Sequence, residues 1–161
     1  MTLVVSDTSP LRAIHYLGLL PILDEMFAPI VVPPAVQREL ISPPPRFDSI
    51  DLAGFPFIVV QSPRDQQQVQ LLRQTLDLGE SEALALAIEI RADAILVDES
   101  AGRRAATQNG VRWLGTLGIL LQAKAEGRIG QVRPLVEKLT DELGFFVSDR
   151  LKQRVFKLAG E

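Results

Sequence analysis

Four stretches of the sequence place acidic residues where chemistry can be done. Asp7 directly follows the apolar run at 3–6 (LVVS), and Asp98, with Glu99 behind it, follows 94–97 (AILV). Glu39 lies one or two helical turns beyond the IVV run at 30–32, and Glu80 and Glu82 open the stretch that leads into AILV. Open parallel sheets form their sites outside the carboxyl ends of their strands. The spacing therefore predicts four carboxylates at one edge. Carboxylates gathered without partners repel one another, and their pKa values rise. A divalent cation removes that repulsion, and all-oxygen donors suit Mg²⁺ or Mn²⁺. Such an ion activates water and neutralises charge building on a phosphodiester.

Singly, each acid has a plainer explanation. Asp7 and Asp98 are placed to cap the helices after them, with Ser9 and Ser100 as competitors. Glu80 and Glu82 sit in a first helical turn, where the helix dipole favours acids. Glu39 alone reads as a solvated helix residue. It is the ordered set that points to metal-assisted hydrolysis.

Other chemistries find little support. The chain has no cysteine, which excludes disulfides, zinc–thiolate sites and cysteine nucleophiles. His15, the only histidine, falls mid-helix among Ile14, Tyr16 and Leu17 and reads as packed or surface. Ser9 therefore lacks a base for serine catalysis. Gly115-Thr116-Leu117-Gly118 matches no phosphate-loop pattern and reads as a tight strand-to-helix turn. Trp113 follows an apolar run and reads as core. A phosphorelay receiver needs paired acids after its first strand and a lysine after its last. Asp7 stands alone in its phrase, and no lysine closes VRWL. A haloacid-type phosphatase needs Asp-x-Asp, and Ser9 occupies the third place.

The elements that must position the acids follow from periodicity and punctuation. Short apolar runs at 3–6, 30–32, 57–60, 94–97 and 111–114 read as strands. Helices are expected from Pro10 to Gly18, at 21–27, 35–40, 66–76, 80–91 and 101–109, and at 116–126, 131–142 and 148–159. Asp77-Leu78-Gly79 reads as a separator between two of them, and residues 42–56, rich in Pro, Ser and Gly, as a loop. Strands alternating with helices, several of them continuous apolar runs, indicate a parallel sheet covered on both faces, with a helical C-terminal tail.

With 161 residues, 47% of them hydrophobic, the chain can bury a sizeable core. No linker or repeat divides it, so a single domain over 1–161 is expected. The N-terminus lacks a signal-peptide pattern, and no apolar run approaches the roughly 20 residues that span a bilayer. The expected location is the cytoplasm. Net charge is −3, distributed unevenly: 6 Lys/Arg against 14 Asp/Glu over residues 1–100, and 11 against 6 over 101–161. That asymmetry suits an acidic cation pocket beside a basic surface for phosphates, or simply helix faces of different sign.

The phrases VVSDTSPL, VVPPAVQREL, LGESEALALAIE, AILVDESAGRR and LGTLGILLQAKAEG, in that order, resemble the PIN-domain superfamily, in particular its VapC-like branch carrying the DUF3368 domain. The resemblance covers nearly the whole chain. It implies a three-layer α/β/α sandwich with a mainly parallel sheet, and Mg²⁺- or Mn²⁺-dependent endonucleolytic cleavage of single-stranded or structured RNA. Residue by residue, Asp7 matches the family's first acid, Glu39 its second and Glu82 its third. The fourth falls in Asp98-Glu99. The usual phrase is a strand followed by Thr-x-Asp, and here Val97-Asp98-Glu99 replaces it. Asp98 is favoured because it immediately follows the strand, with Glu99 second. In this scheme Asp7, Glu82 and Asp98 hold the metal, and Glu39 holds it through water or orients the attacking water. Glu80 is an outer acid, and Thr8 or Ser9 supports the metal site or the scissile phosphate. Arg103 and Arg104 are placed to contact RNA phosphates, or are ordinary solvated arginines. The resemblance further implies a toxin-like component paired with a small DNA-binding antitoxin, and a homodimer. The alternative is a catalytically inactive PIN-like module that binds RNA or protein.

Overall fold

The computed structural model describes residues 2–161. Its β-branched triplets make the centre of the molecule. Strands β1 (Val4–Ser6), β2 (Ile30–Val32), β3 (Ile58–Val60), β4 (Ala94–Leu96) and β5 (Trp113–Leu114) form one sheet in the order β3-β2-β1-β4-β5. All four pairings are parallel, with Val4 opposite both Ile30 and Ala94. β1 is thus central, and the chain steps outward from it in both directions, to β2 on one side and β4 on the other. That reversal is the place where open α/β sheets leave a crevice at the strand ends.

Alternation along each strand builds two cores. Val4, Ile30, Val32 and Leu96 face one side, and Val5, Val31, Ile95 and Val97 the other. The first face packs helices α1 (Thr8–Tyr16), α2 (Leu20–Met26), α3 (Pro34–Ile41), α7 (Thr116–Ala125), α8 (Arg133–Glu142) and α9 (Asp149–Leu158). The second packs α4 (Gln66–Leu72), α5 (Leu78–Glu89) and α6 (Ser100–Gln108). The result is the expected three-layer α/β/α sandwich with helices on both faces of a parallel sheet. The tail is tied down by Glu161, whose carboxylate accepts from the Val132 and Arg133 N–H groups and pairs with Lys124 at 2.8 Å. Among the described residues no helix is long and apolar enough to cross a membrane.

Three expectations need correction. Leu78 and Gly79 do not separate helices: Asp77 and Glu80 close a capping box, and α5 begins at Leu78. The loop at 42–56 contains a 3-10 turn, Leu52–Gly54, started by Asp51 accepting from the Ala53 N–H. Trp113 is not core. It lies on the two-residue edge strand β5, is 42% exposed, and is covered by the Arg103 guanidinium 4.5 Å from its ring. His15 is packed as expected, edge-on to Phe55.

Candidate functional site

β1 ends at Ser6, and the Asp7 N–H donates to the Leu96 carbonyl at 2.9 Å, which holds the residue at the mouth of the crevice. Asp7 occupies the cap position of α1, yet its side chain makes no capping hydrogen bond. Its carboxyl is 5% exposed. Burial above all pushes its pKa to about 8 from a model-peptide value of 3.8; the charges of Glu80, Asp77 and Glu39 add to the rise, and the Thr8 backbone N–H works against it.

Glu39 comes in from α3. The Thr8 hydroxyl donates to its Oε2. Its Oε1 lies against Gly79, where a Cβ would stand only 2.8 Å away. A glycine in the first turn of α5 is therefore what lets Glu39 lie over the start of that helix. Glu80, 8% exposed, receives the Asp77 N–H at 3.3 Å, while the Asp77 side chain receives the Glu80 N–H at 2.8 Å. Its pKa is raised by burial first, then by Asp77, with Glu99 and Glu39 further off. Glu82 is directed elsewhere. Pro33 and Pro34 have no N–H to cap, and the first free donor of α3, Ala35 N–H, reaches Glu82 Oε1 at 3.2 Å.

The end of β4 is built differently. Asp98 Oδ1 accepts from the Thr116 N–H at 2.7 Å. Its Oδ2 accepts from the Thr116 hydroxyl at 2.7 Å and from the Ser9 hydroxyl at 3.0 Å. Arg103 Nη2 lies 3.7 Å from Oδ1. Arg103 is itself fixed, donating from Nε to the Val97 carbonyl at 3.3 Å and stacking on Trp113. Gly115 makes this possible, because a Cβ there would fall 2.2 Å from Arg103 Nη2 and 3.1 Å from Asp98 Oδ1. The next residue, Glu99, is exposed, forms no cap on α6, and acts electrostatically on Glu80. The two adjacent acids are therefore engaged differently: Asp98 is held at the start of α7, while Glu99 stays exposed and caps no helix.

Arg12 separates these two halves. Its Nη2 donates to the Glu39 carbonyl at 3.2 Å, its Nε is buried without a partner, and burial lowers its pKa. It lines a cleft of about 600 Å³ that also takes in Ser9, Asp98, Glu99, Arg46 and Arg103. Arg104 is exposed and makes no ion pair among the described residues.

The structure thus brings Asp7, Glu39, Glu80 and Asp77 together and sets Glu99 beside them, with Asp98 and Glu82 engaged at neighbouring helix starts. Among the described residues, no three acidic or histidine side chains already converge on one ion-sized point. A hydrated Mg²⁺ or Mn²⁺ does not require that, since such ions keep several waters and take one or two carboxylates directly. A buried carboxyl grouped with three other acids has the oxygen donors that such a cation suits. Sequence reasoning missed Asp77, Arg12 and Thr116. Asp77 carried a signal, the Asp-x-x-Glu capping-box spacing; Arg12 and Thr116 carried none.

A family profile described as a PIN domain, DUF3368, matches residues 3–161. No curated protein matches the chain. PIN domains are a nuclease-type fold, generally hydrolases that use divalent metal ions and bind nucleic-acid substrates. With strand order, acidic crevice and profile in agreement over nearly all its length, the chain belongs to the DUF3368 branch of the PIN-domain superfamily.

Proposed function

We propose that the protein is a Mg²⁺- or Mn²⁺-dependent endoribonuclease, a single PIN domain acting in the cytoplasm as the toxin-like member of a pair with a small DNA-binding antitoxin, and working as a homodimer. The observation that carries the nuclease reading is Asp7: a buried, uncapped carboxyl at the central strand end, grouped with Glu80, Asp77 and Glu39 and with Arg12 acting on it from the cleft side. Asp7, Glu39 and Glu82 would hold the cation, Glu82 through the oxygen not engaged by Ala35. For the fourth carboxylate we favour Glu99 over Asp98; supporting this, Asp98 already accepts three hydrogen bonds. Asp98 then serves to position Ser9, Thr116 and Arg103.

When bound, the cation supplies an acidified water and a positive charge against the phosphoryl oxygens. Thr8 fixes Glu39 through Oε2, leaving Oε1 to accept a hydrogen bond from the attacking water and orient it. Glu80, whose pKa is raised by burial and then by Asp77, sits behind as an outer acid. Arg12 and Arg103 face the cleft with positive charge for the substrate phosphates.

One observation favours a second reading, a PIN-like binding module without catalysis: the carboxylates do not already converge on one point. RNA cleavage with Mn²⁺ by the purified protein and by Asp7→Asn separates the two. Cleavage by the wild type and none by Asp7→Asn is expected. No cleavage, together with no Mn²⁺ binding by calorimetry, defeats the nuclease reading.

A further inference from the structure

Phe146 is the most exposed large apolar side chain of the described residues, at 89%. Its loop is nevertheless well anchored. The Phe145 N–H donates to the Leu139 carbonyl at 3.0 Å, Val147 is buried, and the Ser148 hydroxyl caps α9. The ring is thus held out into water by a loop pinned on both sides of it. It lines the cleft that also takes in Asp98 and Glu99.

Two arginines, Arg12 and Arg46, line the same cleft. The guanidinium groups of Arg12 and Arg46 stack on Phe47 at 4.7 and 4.8 Å. Arg46 also lies beside Gly144, with its nitrogens 3.7 and 3.8 Å from where a Cβ would be, which brings it close to the loop that carries Phe146. No carboxylate pairs with Arg46 among the described residues, and the Nε of Arg12 is buried without a partner. An outward aromatic ring in one cleft with the unpaired Arg46 guanidinium is a platform for a base beside a seat for phosphate.

We propose that this cleft is the track of an unpaired RNA strand: a base stacks on Phe146, the adjoining phosphates lie against Arg46 and Arg12, and the strand continues to the Asp98–Glu99 edge. The inference rests on the nuclease reading and adds to it the residues, Phe146 and Arg46, that seat an unpaired strand. A paired base has no face to offer a protruding ring, so a duplex gains nothing from Phe146. A protein partner is disfavoured, because Arg46 has no carboxylate partner among the described residues and three arginines, Arg12, Arg46 and Arg103, line the cleft, which a polyanion complements.

Anisotropy of a labelled single-stranded RNA in EDTA, where no cleavage occurs, tests this directly. Phe146→Ala is expected to weaken binding by about 10-fold while Phe146→Trp retains it. Arg46→Ala is expected to weaken binding and to lower the salt slope by about one. A duplex of the same sequence should bind more weakly and be indifferent to Phe146. In Mn²⁺-supported cleavage, Phe146→Ala should raise KM and leave kcat unchanged. Phe146 is exposed, so its variants are expected to melt as the wild type does. Unchanged binding by Phe146→Ala, or equal dependence on Phe146 in the duplex, overturns the proposal, even if cleavage continues. Phe146-dependent binding of the single strand without any cleavage supports the track and overturns the nuclease reading instead.

Discussion

Asp7 and Asp98 stand at the ends of adjacent parallel strands, each one residue past an apolar run, and have opposite surroundings. Asp98 is met by two hydroxyls, a backbone N–H and a guanidinium. Asp7 is buried more deeply and faces Glu80, Asp77 and Glu39. The first carboxylate spends its charge on local structure, joining β4 to α1 and α7. The second makes no capping bond, and burial with its acidic neighbours holds a proton on it that a cation can displace. A strand-end position in a parallel sheet does not decide which of these an acid becomes; the donors brought to it by distant segments do.

The largest effect expected is at Asp7. If its charge is the one awaiting a cation, Asp7→Asn should lower RNA cleavage on the order of 1000-fold while leaving the fold intact by circular dichroism. Retained cleavage would show that Asp7 and Asp98 are alike after all.

A second consequence concerns pH. The folded-state pKa of Asp7, about 8, lies above its unfolded value near 3.8. Between the two the native state holds a proton that the unfolded chain has released, so stability falls as pH rises through this window. In metal-free protein the loss is on the order of a few kcal/mol. Melting temperatures in EDTA should decline from pH 4 to pH 8 by this linkage, and Mn²⁺ should restore more at the upper end. Asp7→Asn should flatten the profile. An equally steep profile in that variant would locate the titration elsewhere.

The adjacent pair Asp98 and Glu99 sharpens the contrast further. Asp98→Asn should cost about 1–3 kcal/mol in urea unfolding, because Thr116 and Ser9 lose a charged acceptor. Glu99→Gln should change stability by less than about 0.5 kcal/mol and reduce cleavage by about 10–100-fold. The reverse pattern would return the fourth carboxylate to Asp98. The smallest effect is assigned to Gly115→Ala. Its methyl group displaces the flexible tip of Arg103 from Asp98, and a partly exposed ion pair is worth up to about 1 kcal/mol.

Much of this arrangement was legible in the sequence because it is local. The IVV triplets, the Gly and Pro punctuation and the order of acidic phrases were enough to place the strands and to set Asp7 at a strand end. The boundary at Leu78 was missed even though the Asp77–Glu80 spacing announces a capping box, because Gly79 reads as a breaker until Glu39 is seen to need its missing Cβ. Trp113 was misjudged because edge position is a property of the sheet, and nothing in VRWL says that β5 is last in the order. The engagement of Asp98 depends on Thr116 and Ser9, and that of Glu82 on Ala35, 47 residues away. Such partners are joined only by the tertiary fold.

The central position of β1 carries a consequence for timing. Asp7 is held by a hydrogen bond to Leu96, and Val4 pairs with Ala94 across most of the first hundred residues. Contacts of such sequence separation close slowly, because the intervening chain must be ordered first. A chain growing on the ribosome therefore carries Asp7 and Glu39 long before the strand that fixes Asp7 exists. The acids assemble only once β4 has emerged, and the helices of the tail follow later still. A fragment that ends before β4 cannot hold Asp7 in place.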